Sequence, residues 1–296
     1  MKHIGQILSE TLSATRNGTR YTPLDREFWV RPCPWCGETL EPTKIEDDTL
    51  RSGYWWRSGL IGHSCPGYEE EKLEQAKRLA VHEAQKREER WNTICARAGL
   101  TERRLQMTFE SFERHKQPEA YDAAENFFTE RQSLIFCGPR GTGKTHLASA
   151  ILQRWLRKGF EKEIEEPSAI HAGGRGFFIT LPELLLRIQA SYKQRYTTQT
   201  EHAIIEYLTK VPLLVLDDVG KEKSSEFSRR TIFNLIDGCY VRRGRVIITS
   251  NDSDRDLAKA LGGASYSRML EMGQIVTMHD EYDYRQQMSA ARRVKG

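Results

Sequence analysis

The stretch Ser133–Leu147 constrains this chain more than any other. Ser133 to Cys137 is a short apolar run of the kind that forms a buried parallel strand. Gly138, Gly143, Lys144 and Thr145 then fit the pattern G-x-x-x-x-G-K-[ST], with Pro139, Arg140, Gly141 and Thr142 between. Beyond His146, apolar residues return at Leu147, Ala148, Ala150, Ile151, Trp155 and Leu156, mostly at helical spacing. Strand, glycine loop and helix stand in the order that a phosphate-binding loop requires. Glycines let consecutive backbone N–H groups turn inward around a triphosphate, and the helix N-terminus adds its positive end. Lys144 is expected to reach the β/γ-phosphates of ATP, and Thr145 to ligate Mg²⁺. Residues 138–146 are the expected nucleotide cradle.

The chain beyond the loop supplies the other wall of such a site. Phe177–Thr180 reads as a strand, and Thr180-Leu-Pro-Glu183 has capping-box spacing for a helix carrying Leu184, Leu185, Ile188 and Tyr192. A polar connection, residues 161–176, precedes that strand, and another helix is expected over residues 201–208. Strands alternating with helices argue for a parallel α/β sheet. Leu213 to Leu216 followed by Asp217 and Asp218 form a Walker B element. Asp217 is expected to hold Mg²⁺, and Asp218 to orient and deprotonate the attacking water. Many ATPases carry Glu at that second position, and the shorter Asp favours slower hydrolysis. A helix over residues 226–241 leads to a buried strand over residues 245–251. Asn251 ends that strand, where strand-end side chains lie beside the phosphates, and is expected to contact the γ-phosphate or the attacking water. Gly262-Gly263 breaks the next helix, another begins near Ser265, and a last strand is expected over residues 274–278.

The first third of the chain differs in character. Ile4, Ile7, Leu8 and Leu12 fall on one helical face, which suits either packing in its own domain or a partner. Cys33-Pro-Trp-Cys36 is a zinc-knuckle turn, and His63 with Cys65 completes a Cys₃His set for Zn²⁺; His82 is the alternative fourth ligand. Tyr54-Trp55-Trp56 lies between the half-sites, flanked by Arg51 and Arg57, and either stacks bases or partners or covers the metal. From Glu69 to about Ala98 the chain is charge-rich, with Glu74 and Arg78 four apart, and reads as a solvated helical linker. The expected domains are therefore 1–68, a zinc-binding module; 69–104, a helical linker; and 105–296, the nucleotide domain.

Composition narrows the functional class. A net charge of +4 over 296 residues gives no whole-molecule case for nucleic-acid binding, so any such case rests on local patches. No apolar run approaches ~18 residues, so no membrane span is expected. The N-terminus lacks an apolar signal core, and six cysteines are too scattered for a disulfide scaffold; both suit a reducing cytoplasm.

The combination resembles AAA+ ATPases, and within them the bacterial and phage replicative helicase loaders of the DnaC/DnaI type. The stretches that carry the resemblance are Thr108–Phe112, Gly138–His146, Leu213–Gly220, Ile248–Asn251, Ser267–Met269 and Tyr284–Arg285. The resemblance implies a lidless AAA+ core, and the 45 residues after Asn251 are few for a helical lid. It also implies that Arg268 is an arginine finger completing a neighbouring subunit's site, and that Arg285 contacts bound nucleotide. Tyr192, Ser225 and Phe227 would face single-stranded DNA, with Lys193, Arg195, Arg229 and Arg230 nearby; the alternative places Tyr192 and Phe227 in the core. The implied partners are a DnaB-type hexameric helicase, single-stranded DNA and further copies of the chain. A transposition helper ATPase of the IstB type is a rival reading, against which the cysteine module argues. A zinc-containing DNA-binding protein with a non-catalytic nucleotide site is another.

Overall fold

The computed structural model describes residues 30–46, 54–57, 63–130, 132–165, 175–193, 200–220 and 225–279. The chain forms two compact units, residues 1–86 and 87–296. In the first, β1 (Arg31–Pro32) pairs antiparallel with β2 (Thr39–Leu40), and β3 (Thr43–Glu46) with β4 (Tyr54–Arg57). The β1–β2 ribbon closes a tight turn in which Cys33 N–H donates to Glu38 O and Gly37 N–H to Cys33 O. Helix α1 (Pro66–Arg97) starts at the next cysteine, with Pro66 at its first position and Glu69 N–H donating to Cys65 O. Among the described residues of this unit, Cys33, Leu40 and Cys65 form a buried cluster, with Trp35 and Tyr68 packed on them. The amphipathic segment at residues 4–12 lies outside the described residues, as do Arg51 and the side chains of Tyr54–Arg57.

The helix expected to be a solvated linker has two characters. Leu73, Leu79 and Val81 are exposed, and Glu74 pairs with Arg78 at 2.5 Å. Its last turns are different. Cys95 is fully buried in the core of the second unit, with Trp91 and Ile94 against it. The unit boundary accordingly falls inside α1, between Lys86 and Arg87, rather than at either end of the expected linker.

The second unit is built on five parallel strands: β5 (Ser133–Cys137), β6 (Gly176–Thr180), β7 (Leu213–Val219), β8 (Arg245–Ser250) and β9 (Gly273–Thr277). Their spatial order is β6-β7-β8-β5-β9. Alternate residues feed alternate faces. Leu134 and Phe136 join one buried layer, with α1, α3 (Pro118–Glu130) and α4 (Lys144–Glu165). Ile135 and Cys137 join the other, with α5 (Leu181–Lys193), α6 (Glu201–Lys210), α7 (Glu226–Val241), α8 (Asp254–Leu261) and α9 (Gly263–Met272). A sheet covered on both faces explains why its strands are continuous apolar runs. Helix α4 continues to Glu165, so the expected connection from residue 161 is helical at its start.

The outer edge of β6 is also occupied. Phe178 N–H donates to Ala98 O at 2.8 Å, and the Arg104 guanidinium from α2 (Glu102–Leu105) lies 4.0 Å above the Phe178 ring. Gly99, at φ +78°, fits there because a Cβ would stand 2.3 Å from Phe178 O. The expected α/β fold with a parallel sheet, preceded by an N-terminal cysteine module, is the observed one; the sheet order puts β5, which leads into the glycine loop, second from one edge.

Candidate nucleotide site

Parallel strands deliver all their carboxyl ends to one edge of the sheet, and the expected site residues gather there. The loop leaves β5 at Gly138, whose φ of +141° and close approach to Met278 O exclude a side chain. Gly143, at φ +99°, meets the Phe112 ring, which lies 2.6 Å from where a Cβ would stand. The loop is thus pressed between β9 and the segment that precedes α3. Lys144 opens α4 yet is 6% exposed. Its ammonium donates to Gly138 O at 2.7 Å, Pro139 O at 2.5 Å and Thr142 Oγ1 at 3.3 Å. A buried ammonium at a helix N-terminus and inside a glycine loop suits a polyphosphate anion.

Asp217 and Asp218 are adjacent in β7, and adjacent strand residues normally point to opposite faces. A bulge breaks that alternation. Leu216 pairs with Ile248 and Val219 with Ser250, so β7 holds one residue more than β8 across the same span. Asp218 takes the left-handed conformation, φ +65°, which Asp tolerates better than most residues. Both carboxylates then meet groups at the carboxyl edge. Thr145 Oγ1 donates to Asp217 Oδ1 at 2.9 Å, and Thr249 Oγ1 donates to the same oxygen at 2.5 Å. Asp218 N–H donates to Thr249 Oγ1, and Asn251 Nδ2 to Asp218 Oδ1 at 2.7 Å. Burial lifts the Asp217 carboxyl above its ordinary value, against the two hydroxyl donors that favour its charge. Hydroxyl and carboxylate oxygens are the hard donors that Mg²⁺ takes, and a cation beside Asp217 would compensate the buried charge.

Thr249 was absent from the expected site, although its hydroxyl links the two aspartates. The only sequence signal is its place two residues before Asn251, on a strand adjoining β7. His146 sits in the expected cradle, but its side chain faces away from the loop. Nε2 donates to Thr108 O at 2.8 Å, and the ring packs edge-on against Phe112 at 5.1 Å. A carbonyl only accepts, so Nε2 carries the proton. Burial lowers the imidazole's proton affinity, against the Thr108 carbonyl.

Arg268, on α9, pairs with Asp237 Oδ1 at 3.0 Å and lies 5.0 Å above the Phe233 ring. Arg285 and Tyr284 lie outside the described residues, as do Arg195 and the side chain of Lys193. Tyr192 is 59% exposed, whereas Phe227 is half-buried against the core; their rings lie 6.5 Å apart. Ser225 caps α7, accepting from Ser228 N–H at 3.1 Å.

The first unit holds the other cluster. The ligand atoms of Cys33, Cys36, His63 and Cys65 lie within 4.8 Å of one another. Cys33 Sγ is 3.8 Å from Cys65 Sγ, and Cys36 Sγ is 3.4 Å from His63 Nε2. An edge of about 3.8 Å is that of a tetrahedron with Zn–S bonds of ~2.3 Å, so the four residues fit a tetrahedral ion. His82, on the exposed middle of α1, is not in this cluster.

The family model for IstB-like ATP binding proteins matches residues 70–165 and 166–291. The chain belongs to this family. Similar proteins include the replicative helicase loader DnaC of Buchnera aphidicola subsp. Baizongia pistaciae, 28% identical over 182 residues, covering 60% of this chain and 68% of the relative. DnaC of Escherichia coli K12 is 25% identical over 205 residues, covering 67% and 77% respectively. A solved structure of the DnaC helicase loader matches 60% of this chain and 99% of its own length, at 27% identity and a TM-score of 0.47. The IstB-like match starts at residue 70, so the Cys₃His cluster lies outside it. Among the described residues, no helix is long and apolar enough to cross a membrane.

Proposed function

We propose that this chain is an ATP-dependent loader that binds a DnaB-type replicative helicase and helps place it on single-stranded DNA. The observation that carries the reading is the convergence of Lys144, Thr145, Asp217, Asp218 and Asn251 at one sheet edge, in a chain that also has a separate Cys₃His cluster. The names of the relatives support the helicase as partner.

In this reading the loop from Gly138 to Thr145 and the Lys144 ammonium bind the triphosphate of ATP, with Arg285 as a further nucleotide contact. Thr145 and Asp217 hold Mg²⁺, which neutralises charge developing on the phosphates. Asp218, steadied by Asn251, orients the attacking water and takes its proton. Arg268 exchanges Asp237 for the nucleotide of a neighbouring copy, where its charge stabilises the transferring phosphoryl group. Tyr192, Ser225 and Phe227 face single-stranded DNA. Zn²⁺ on Cys33, Cys36, His63 and Cys65 shapes the first unit, the docking module. ATP drives assembly only to the extent that it binds the assembled state more tightly.

The family name favours a second reading, a transposition helper. Pull-down of a hexameric replicative helicase by the full chain separates the two. The loader reading expects capture that Cys33→Ser abolishes; no capture by the wild-type chain would sink it. Lys144→Ala and Arg268→Ala should each lower DNA-stimulated ATP turnover at least ~10²-fold. Unchanged turnover in both would leave the nucleotide site a static scaffold.

A further inference from the structure

Side chains from three helices meet on Glu201. The Tyr192 hydroxyl, from α5, donates to one oxygen of its carboxylate, and the Arg230 guanidinium, from α7, stands 3.6 Å from the other. Arg230 also leans over the Phe227 ring at 5.8 Å. Glu201 is the most covered of the ion pair: its side chain is 23% exposed and that of Arg230 59%. The first turn of α6 alone would suit an acid, but it does not require one that faces two other helices.

The arrangement has the parts of a single-strand site in a closed state. Two aromatic faces receive a base between them when they are parallel and about 7 Å apart, twice a van der Waals contact. Tyr192 and Phe227 have the spacing, 6.5 Å, but are tilted by 60°. The hydroxyl bond to Glu201 ties down the tip of the Tyr192 side chain, with the ring in that tilted position. The same carboxylate occupies the cation that a nucleic-acid backbone would use, with a phosphate's charge sign and acceptor chemistry.

We infer that Glu201 stands in for a backbone phosphate. A phosphodiester of single-stranded nucleic acid displaces it from Arg230, and the release of the Tyr192 hydroxyl lets that side chain swing until its ring lies parallel to Phe227 with a base between them. This rests on the DNA-facing reading above and adds the residue that opposes binding. A duplex, whose bases remain stacked on each other, is excluded by the same geometry.

Fluorescence anisotropy of a labelled oligothymidylate with the full chain, in ATP and Mg²⁺, tests the inference. Glu201→Gln removes the competing charge, and Tyr192→Phe cuts the tether while keeping the ring. Each should tighten binding about 3- to 5-fold, whereas Arg230→Ala and Tyr192→Ala weaken it. In Glu201→Gln/Arg230→Ala the gain should vanish. If Arg230→Ala and Tyr192→Ala weaken binding but neither Glu201→Gln nor Tyr192→Phe tightens it, Glu201 is scaffold and the inference fails, with the DNA face intact. If Arg230→Ala and Tyr192→Ala bind as wild type, the DNA face itself is wrong.

Discussion

Asp217 is 5% exposed, and burial raises its proton affinity in the folded chain. Its charge is therefore unfavourable to folding when no cation is bound. As pH rises above the ordinary carboxyl value of 3.8, the unfolded chain ionises first and stability falls until the folded carboxyl has titrated. Asp217→Asn escapes that loss and keeps an oxygen for the Thr145 and Thr249 hydroxyls. The variant should melt a few degrees higher than wild type near neutral pH, with the gap closing below about pH 4, while losing Mg²⁺-dependent nucleotide binding. Melting curves across pH, with and without Mg²⁺, check both halves. Asp218→Asn should behave differently. Asn tolerates the left-handed backbone and can accept from Asn251, so folding and nucleotide affinity persist while turnover drops ~10²-fold or more. A turnover assay beside a binding titration separates these. Both aspartates were legible from the sequence, since paired acids after an apolar run have few other uses beside a phosphate loop. Thr249 was not, because a threonine in a buried strand has no spacing rule that marks its hydroxyl as a link.

Element boundaries followed the sequence where local chemistry sets them. Thr180 caps α5 by accepting from Glu183 N–H, as the capping-box spacing implies, and α7 spans residues 226–241 as its pattern indicates. The reading failed where packing at long range decides. Only a few residues of α1 are apolar near its end, and a charged helix hides them; the core that buries Cys95 is made by α3, α4 and the sheet. The contact of α4 with residues 108–112 is of the same kind. His146 stays neutral there by burial, with a folded proton affinity below the ordinary value of 6.5. Its stabilising part is complete above pH 6.5 and is lost as pH falls below it, because the unfolded chain then binds the proton first. A His146→Gln chain should therefore show a flatter fall in melting midpoint between pH 6.5 and 5; parallel curves would contradict this account.

At the scale of the whole molecule, the two units differ in what holds them. Residues 87–296 carry two buried layers on a sheet, whereas among the described residues of the first unit the buried apolar cluster is Leu40 with Cys33 and Cys65, themselves two of the four candidate ligands. Four candidate ligands gathered in this cluster would let a bound metal supply folding energy to the unit. The purified chain should contain about one Zn per molecule, lost in Cys33→Ser, and chelation should unfold the first unit while ATP binding continues. Metal analysis with nucleotide titration of the chelated chain checks this, and ATP affinity falling in step with zinc would refute it. The bulge in β7 carries one further consequence for the molecule as a whole. It works by residue count, since β6 and β8 fix the strand on both sides and one surplus residue turns the second carboxylate toward the first. One residue inserted between Leu216 and Asp217 would leave both acids in the chain, yet would change which faces they take. Length at this point is thus as much a determinant of the site as chemistry. Substitution scanning alone would overlook it, and insertion–deletion scanning would find it.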